Sequence, residues 1–147
     1  MKRLIILILL AAAFSPSCKE KKKFIEPSFV LNRWGRAIQN LNYREYAMCE
    51  AYPKSEPVFR EMYRDYYFSD IMTVRIEDPD RKNLREDYEG NRFMHCVVSF
   101  EAGVVKRATA KQYGIVRGDA VFIKFIEGKR AKQGWLISNR TMVSVNR

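Results

Sequence analysis

The chain has 147 residues, of which 47% are apolar and 13% aromatic. That is enough for one globular domain with a core, and it excludes wholesale disorder or a collagen-like repeat. The net charge is +10, and it is uneven: residues 26–90 hold 10 basic and 13 acidic groups, residues 91–147 hold 11 basic and 3 acidic.

Met1-Lys2-Arg3 is a basic start, Leu4 to Phe14 an unbroken apolar run, and Ser15-Pro16-Ser17-Cys18 a small-residue exit. This order describes a secretory signal peptide over residues 1–17. An apolar helix of that length rises only about 16 Å, roughly half a bilayer core, so the run is not a membrane span. The segment resembles a bacterial lipoprotein signal peptide, in which a lipobox ends in a cysteine that is acylated after cleavage. The resemblance implies acylation of Cys18 and a membrane-anchored envelope protein. Lys19 after the cysteine then implies the outer membrane more than the inner. The alternative is a free secreted protein. Residues 18–26 become a lysine-rich, lipid-anchored tether, of which residues 19–26 reach at most about 28 Å.

A single domain is expected over residues 27–147. Val30, Trp34, Ala37, Ile38 and Leu41 form one stripe at helical spacing, after Pro27 in a first-turn position. Asn42 with Glu45 resembles a capping box that opens a second helix ending near Tyr52-Pro53. Ser55 is an N-cap candidate for a third, aromatic helix through Phe59, Tyr63 and Tyr66 to about residue 68. From Asp70 the period becomes two, with Met72, Val74 and Ile76 on one face. Residues 77–91 read as a polar loop. Strands follow over 92–106, with a bulge or bend at Ala102-Gly103, then over 108–117, ending at a turn at Arg117-Gly118-Asp119, and over 120–126. Glu127 to Gly134 reads as a basic hairpin loop before a last strand, 135–145.

Three helices followed by long antiparallel strands read as α+β, with N-terminal helices packed on a curved antiparallel sheet. The Trp34-xx-Ala37-Ile38 helix, the Asn42-Tyr43 start, the aromatic third helix and the terminal sheet together resemble the nuclear transport factor 2-like (cystatin-like) superfamily. That resemblance implies a cone-shaped fold. It also implies the layout of anchored bacterial lipoproteins, and the leading reading is a lipid-anchored envelope protein whose domain binds or interacts without catalysis. A pocket-based cyclase- or isomerase-like enzyme, or a carrier, is the alternative.

The residues that bear chemistry are few. His95, the lone histidine, is a pocket candidate for acid–base work, with Asp70, Asp119 or Tyr113 as loose partners. No catalytic role carries over from the resemblance to any of them. No cofactor motif is present, and two cysteines 47 apart with one histidine are not a zinc set. Asp78-x-Asp80 lacks the rest of a calcium loop and reads as a turn. Cys49 and Cys96 either form a disulfide, which export permits, or sit in the core as small apolar residues. Lys124, Lys129, Arg130 and Lys132 cluster at the basic hairpin and are the candidates for an anionic surface or glycan; the remaining choice is a solvated basic face. Aromatics do not interleave with the basic residues as an RNA-binding sheet requires, and the export address argues against nucleic acid. A homodimer through the sheet is a further expected association.

Overall fold

The computed structural model describes residues 26–145. The expected signal peptide, the expected acylation site Cys18 and the expected tether up to residue 25 lie outside the described residues. Three helices, α1 (Pro27–Gln39), α2 (Tyr43–Cys49) and α3 (Glu56–Met62), precede five strands: β1 (Tyr66–Ile76), β2 (Asp80–Glu86), β3 (Arg92–Lys106), β4 (Lys111–Phe125) and β5 (Leu136–Val145). The strands form one curved, open antiparallel sheet in the order β1-β3-β4-β5, and β2 pairs with the first half of β3. The helices pack on its concave face, so the α+β reading holds. Among the described residues no helix is long and apolar enough to cross a membrane.

Local chemistry explains the helices. Pro27 opens α1 where its missing N–H costs nothing, and the predicted stripe of Val30, Trp34, Ala37 and Ile38 is buried. The Asn42 side chain accepts from the Glu45 backbone N–H at 3.2 Å, so the cap expected for α2 is made. Ser55 takes the N-cap position of α3, but its side chain makes no cap bond.

The structure corrects four boundaries. The third helix stops at Met62, and Tyr66-Tyr67-Phe68 belong to β1, paired with Val104 to Lys106. Their aromatic, β-prone side chains follow the sheet rather than the helical spacing. Part of the expected polar loop, Asp80–Glu86, is the short edge strand β2. The bulge lies not on β3 at Ala102-Gly103 but opposite it on β1, between Ser69 and Met72, where Asp70 adopts φ 48°. Arg117-Gly118-Asp119 is no turn: β4 runs through it unbroken. A Cβ on Gly118 would stand 2.1 Å from the Thr141 carbonyl oxygen, so this glycine serves close strand approach instead.

The main core lies between helices and sheet. Trp34, Tyr46, Phe59, Phe100 and Phe122 are all at most 1% exposed, and the rings of Tyr46 and Phe59 are 4.5 Å apart. A smaller cluster of Ile123, Phe125, Leu136 and Ala51, with Phe93 against it, uses the opposite face at one end of the sheet. Strand alternation places the two clusters on different sides: Phe122 and Ile137 in the first, Ile123 and Leu136 in the second.

Candidate functional site

The predicted acid–base residues do not come together. His95 alternates with Cys96 and Val98 of the main core, so it belongs to the convex face with Phe93. Its register partners are Asp80 on β2 and Ile123 on β4. The Asp80 carboxylate is already engaged, accepting from the backbone N–H of Lys82 and Asn83 and from the Asn83 amide, and these bonds hold it below the usual carboxylate range. The His95 Nδ1 is buried with no hydrogen-bond partner among the described residues. A general base needs a group that orients it, and none is bonded to this ring. Asp119 stands four residues along β4 from the partner of His95, about 13 Å away, and accepts the Ser99 hydroxyl at 2.6 Å. Asp70 is exposed on the β1 bulge beside α1. Asp119 lines a cavity of about 510 Å³ on the convex face and Asp70 one of about 370 Å³ beside α1, and Tyr113 alone of the four reaches a cavity of about 1080 Å³.

That cavity is an open groove of about 1080 Å³ on the concave face, at the end of the sheet past α3. Phe68, Val104, Ile115 and Val116 give it an apolar floor, and Met62 and Met142 flank it. Tyr66 and Tyr113 form one lip, their ring centroids 5.6 Å apart, with Tyr113 76% exposed. Among the described residues, tyrosines are the only titratable ones that line it. A Cβ on Gly114, which also lines it, would meet nothing within 4 Å. The volume lies just above the usual range for small-molecule sites, and the lining is of the usual mostly apolar kind.

Behind Tyr63, which lines the groove, lies a buried polar network that sequence reasoning missed. Glu50 Oε1 accepts from Trp34 Nε1 at 2.9 Å and from Arg140 at 2.7 Å. Arg140 also donates to the Tyr63 hydroxyl at 2.9 Å, and its guanidinium lies 4.6 Å from the Trp34 ring centroid. The Glu50 and Arg140 side chains are only 5% and 14% exposed. Burial pushes the Glu50 carboxyl above its ordinary range, although Arg140 and Trp34 pull it back. Burial likewise raises Tyr63, against the pull of Arg140. The available clue was Trp34 itself: a core tryptophan needs an acceptor for its N–H.

Other expected residues find structural employment. Cys49 and Cys96 are both buried free thiols, so the disulfide alternative is not what the structure forms. Burial pushes them up to about 12 and about 11, which keeps them protonated and poor nucleophiles. The stretch expected to be a bare basic hairpin contains a 3₁₀ turn, Lys129–Gln133. Arg130 is not a loop-tip charge. It folds back, donates to the Ala51 carbonyl at 2.6 Å and stacks 4.2 Å over the Phe125 ring. Lys129 and Lys132 are exposed, and Lys124 is half-buried on β4. Arg107 donates to the carbonyls of Ile38, Gln39 and Tyr63. Three cations of residues 91–147, Arg107, Arg130 and Arg140, are therefore used inside the fold.

Compared with known proteins, the chain matches no family model and no curated protein.

Proposed function

We propose that this chain is a lipid-anchored bacterial envelope protein whose domain, of the nuclear transport factor 2-like type, binds an apolar ligand without catalysis. The observation that carries the binding reading is the groove: about 1080 Å³, apolar at its floor and lined by no histidine, carboxylate or thiol. Tyrosine hydroxyls alone do not supply the paired acid and base of a cyclase or isomerase. The interior under the helices is filled by Trp34, Tyr46, Phe59 and Tyr63, which leaves the open end as the place for a guest. The anchor rests on the apolar run that ends at Ser17-Cys18. Lys19 favours the outer membrane.

Nile red, an uncharged dye, tests the groove on the processed chain carrying Cys18→Ser. Saturable fluorescence enhancement is expected, and Gly114→Trp should abolish it by filling the open space beside that residue. Dye binding that survives Gly114→Trp would assign the site elsewhere. For the anchor, metabolic labelling with a clickable fatty acid should mark the wild type and miss Cys18→Ala; equal labelling of both would end the lipoprotein reading.

The convex face supports a second association. Val74 and Val143 are 68% and 67% exposed there, beside the ion pair of exposed Arg117 with half-buried Glu101, and two copies meeting through this face would cover them. Sedimentation of the Val143→Glu variant as the same species as wild type would sink that pairing.

A further inference from the structure

The mouth of the groove carries a charge pattern that narrows its guest. Lys106 and Lys111 are direct cross-strand partners at the ends of β3 and β4, and Tyr66 of β1 is the partner of Lys106 on the other side. Tyr66, Phe68 and Val104 line the groove, and Phe68 pairs with Val104 two residues from the Tyr66–Lys106 pair. Strand alternation therefore puts Lys106 and Lys111 on the same concave face, in one row with the Tyr66 lip. Directly opposed side chains in such a row have Cβ atoms about 5 Å apart, and like charges there repel. Both lysines are exposed, and among the described residues neither makes an ion pair. Asp65, which precedes the Lys106 partner Tyr66, and Glu61 of α3 are already paired with Arg64.

A repelling, unneutralised pair of cations at the edge of an apolar groove is complementary to one kind of guest. Its tail is apolar, and its single head is anionic and accepts hydrogen bonds. From the lysine row to Val116 is five residues of β4, roughly 17 Å, long enough for an extended medium-length acyl chain. We infer that the groove binds a free single-chain fatty acid, with the tail over Val104, Ile115, Val116 and Met142 and the carboxylate between Lys106 and Lys111 beside the Tyr66–Tyr113 lip. The inference rests on the binding function proposed for the groove and adds the chemistry of the head. Hydrogen bonds between ammonium and carboxylate are the stronger, charge-assisted kind, and binding relieves the lysine repulsion.

Photo-crosslinking of the full-length chain in nanodiscs tests it, with diazirine-bearing dodecanoate and diazirine-bearing dodecanol as the two probes and mass spectrometry of the labelled peptides as the readout. Dodecanoate is expected to label peptides containing Tyr113 or Met142, and dodecanol to do so less well. In the Lys106→Gln/Lys111→Gln double variant, half-maximal labelling by dodecanoate should need about tenfold more probe, the equivalent of about 1.4 kcal/mol. Labelling by dodecanol should stay within about twofold, and the melting temperature should not fall, since the variant removes a repulsion. If both probes label the groove equally and the lysine variant changes neither, the fatty-acid assignment fails while the apolar-ligand reading stands. If neither probe labels the groove, both fail. A bifunctional amine-reactive crosslinker that joins Lys106 or Lys111 of two chains would show that a second copy covers this face, and would overturn the assignment as well.

Discussion

The concave face of the sheet contains two regions built from the same strands with opposite outcomes. Under the helices, Phe100 and Phe122 meet Trp34, Tyr46 and Phe59, and nothing is left open. Past α3, Val104 and Val116 of the same two strands face a groove. The side chains of the sheet do not explain the difference, because both halves present apolar and aromatic residues. Helix length does: α3 ends at Met62 and the chain turns into β1 within four residues. An apolar sheet face seals where a helix reaches it and becomes a site where the helix stops.

The sealed half should be the more fragile under truncation. Trp34→Ala removes a fully buried indole, which typically costs about 3–5 kcal/mol, and denaturant melts should show it. An unchanged midpoint would mean the helix-covered half is not the source of stability. By contrast Met142→Ala, in the half-exposed groove, should cost clearly less.

The buried polar network behind Tyr63 makes a comparable prediction with a pH signature. Arg140→Leu leaves Glu50 buried and unpaired, a loss of about 3–5 kcal/mol near neutral pH, whereas the Glu50→Leu/Arg140→Met double variant should recover most of it. Burial raises the Glu50 carboxyl in the folded chain, so its protonated form favours folding. The contribution is present below the ordinary carboxylate range and fades as pH rises above it. Without Arg140 that rise in pKa grows. The stability gap between Arg140→Leu and wild type should narrow on acidification from neutral toward the carboxylate range. A gap that widens there would contradict the assignment of Glu50.

The smallest effect concerns the outside. With Arg130 bound to Ala51 and Phe125, only Lys129 and Lys132 of the 3₁₀ turn are exposed for an anionic surface or glycan. Lys129→Ser/Lys132→Ser should lower the salt at which the protein leaves a heparin column slightly more than Arg36→Ser/Arg85→Ser does. Coincident elution would make the charge diffuse.

The α1 stripe and the cap of α2 were readable in the sequence because they are local patterns, set by spacing within a dozen residues. The end of α3 was not. Tyr63 and Tyr66 sit at helical spacing, but Tyr66 gains a strand partner, Lys106, that lies 40 positions away. Gly118 misled for a related reason, since a glycine between Arg and Asp signals a turn unless a neighbouring strand needs its missing side chain. The groove and the Glu50–Arg140 pair were hidden altogether. Their members come from helices and strands up to 90 residues apart, and no local rule aligns them. Charge counting failed at Arg107, Arg130 and Arg140, because a count of cations cannot separate those that face water from those that bind carbonyls and rings.

Arg107 ties the turn after β3 to the carbonyls that end α1 and to Tyr63 just past α3, across 69, 68 and 44 positions of sequence. The β3–β4 hairpin closes a short loop and can form early, whereas contacts of such long range come with a large loop-closure entropy and tend to form late. Synthesis runs the other way, since the helices leave the ribosome before the hairpin does. The segments that are made first are thus the last to be locked in place, and until the hairpin arrives their aromatic faces have no sheet to cover them.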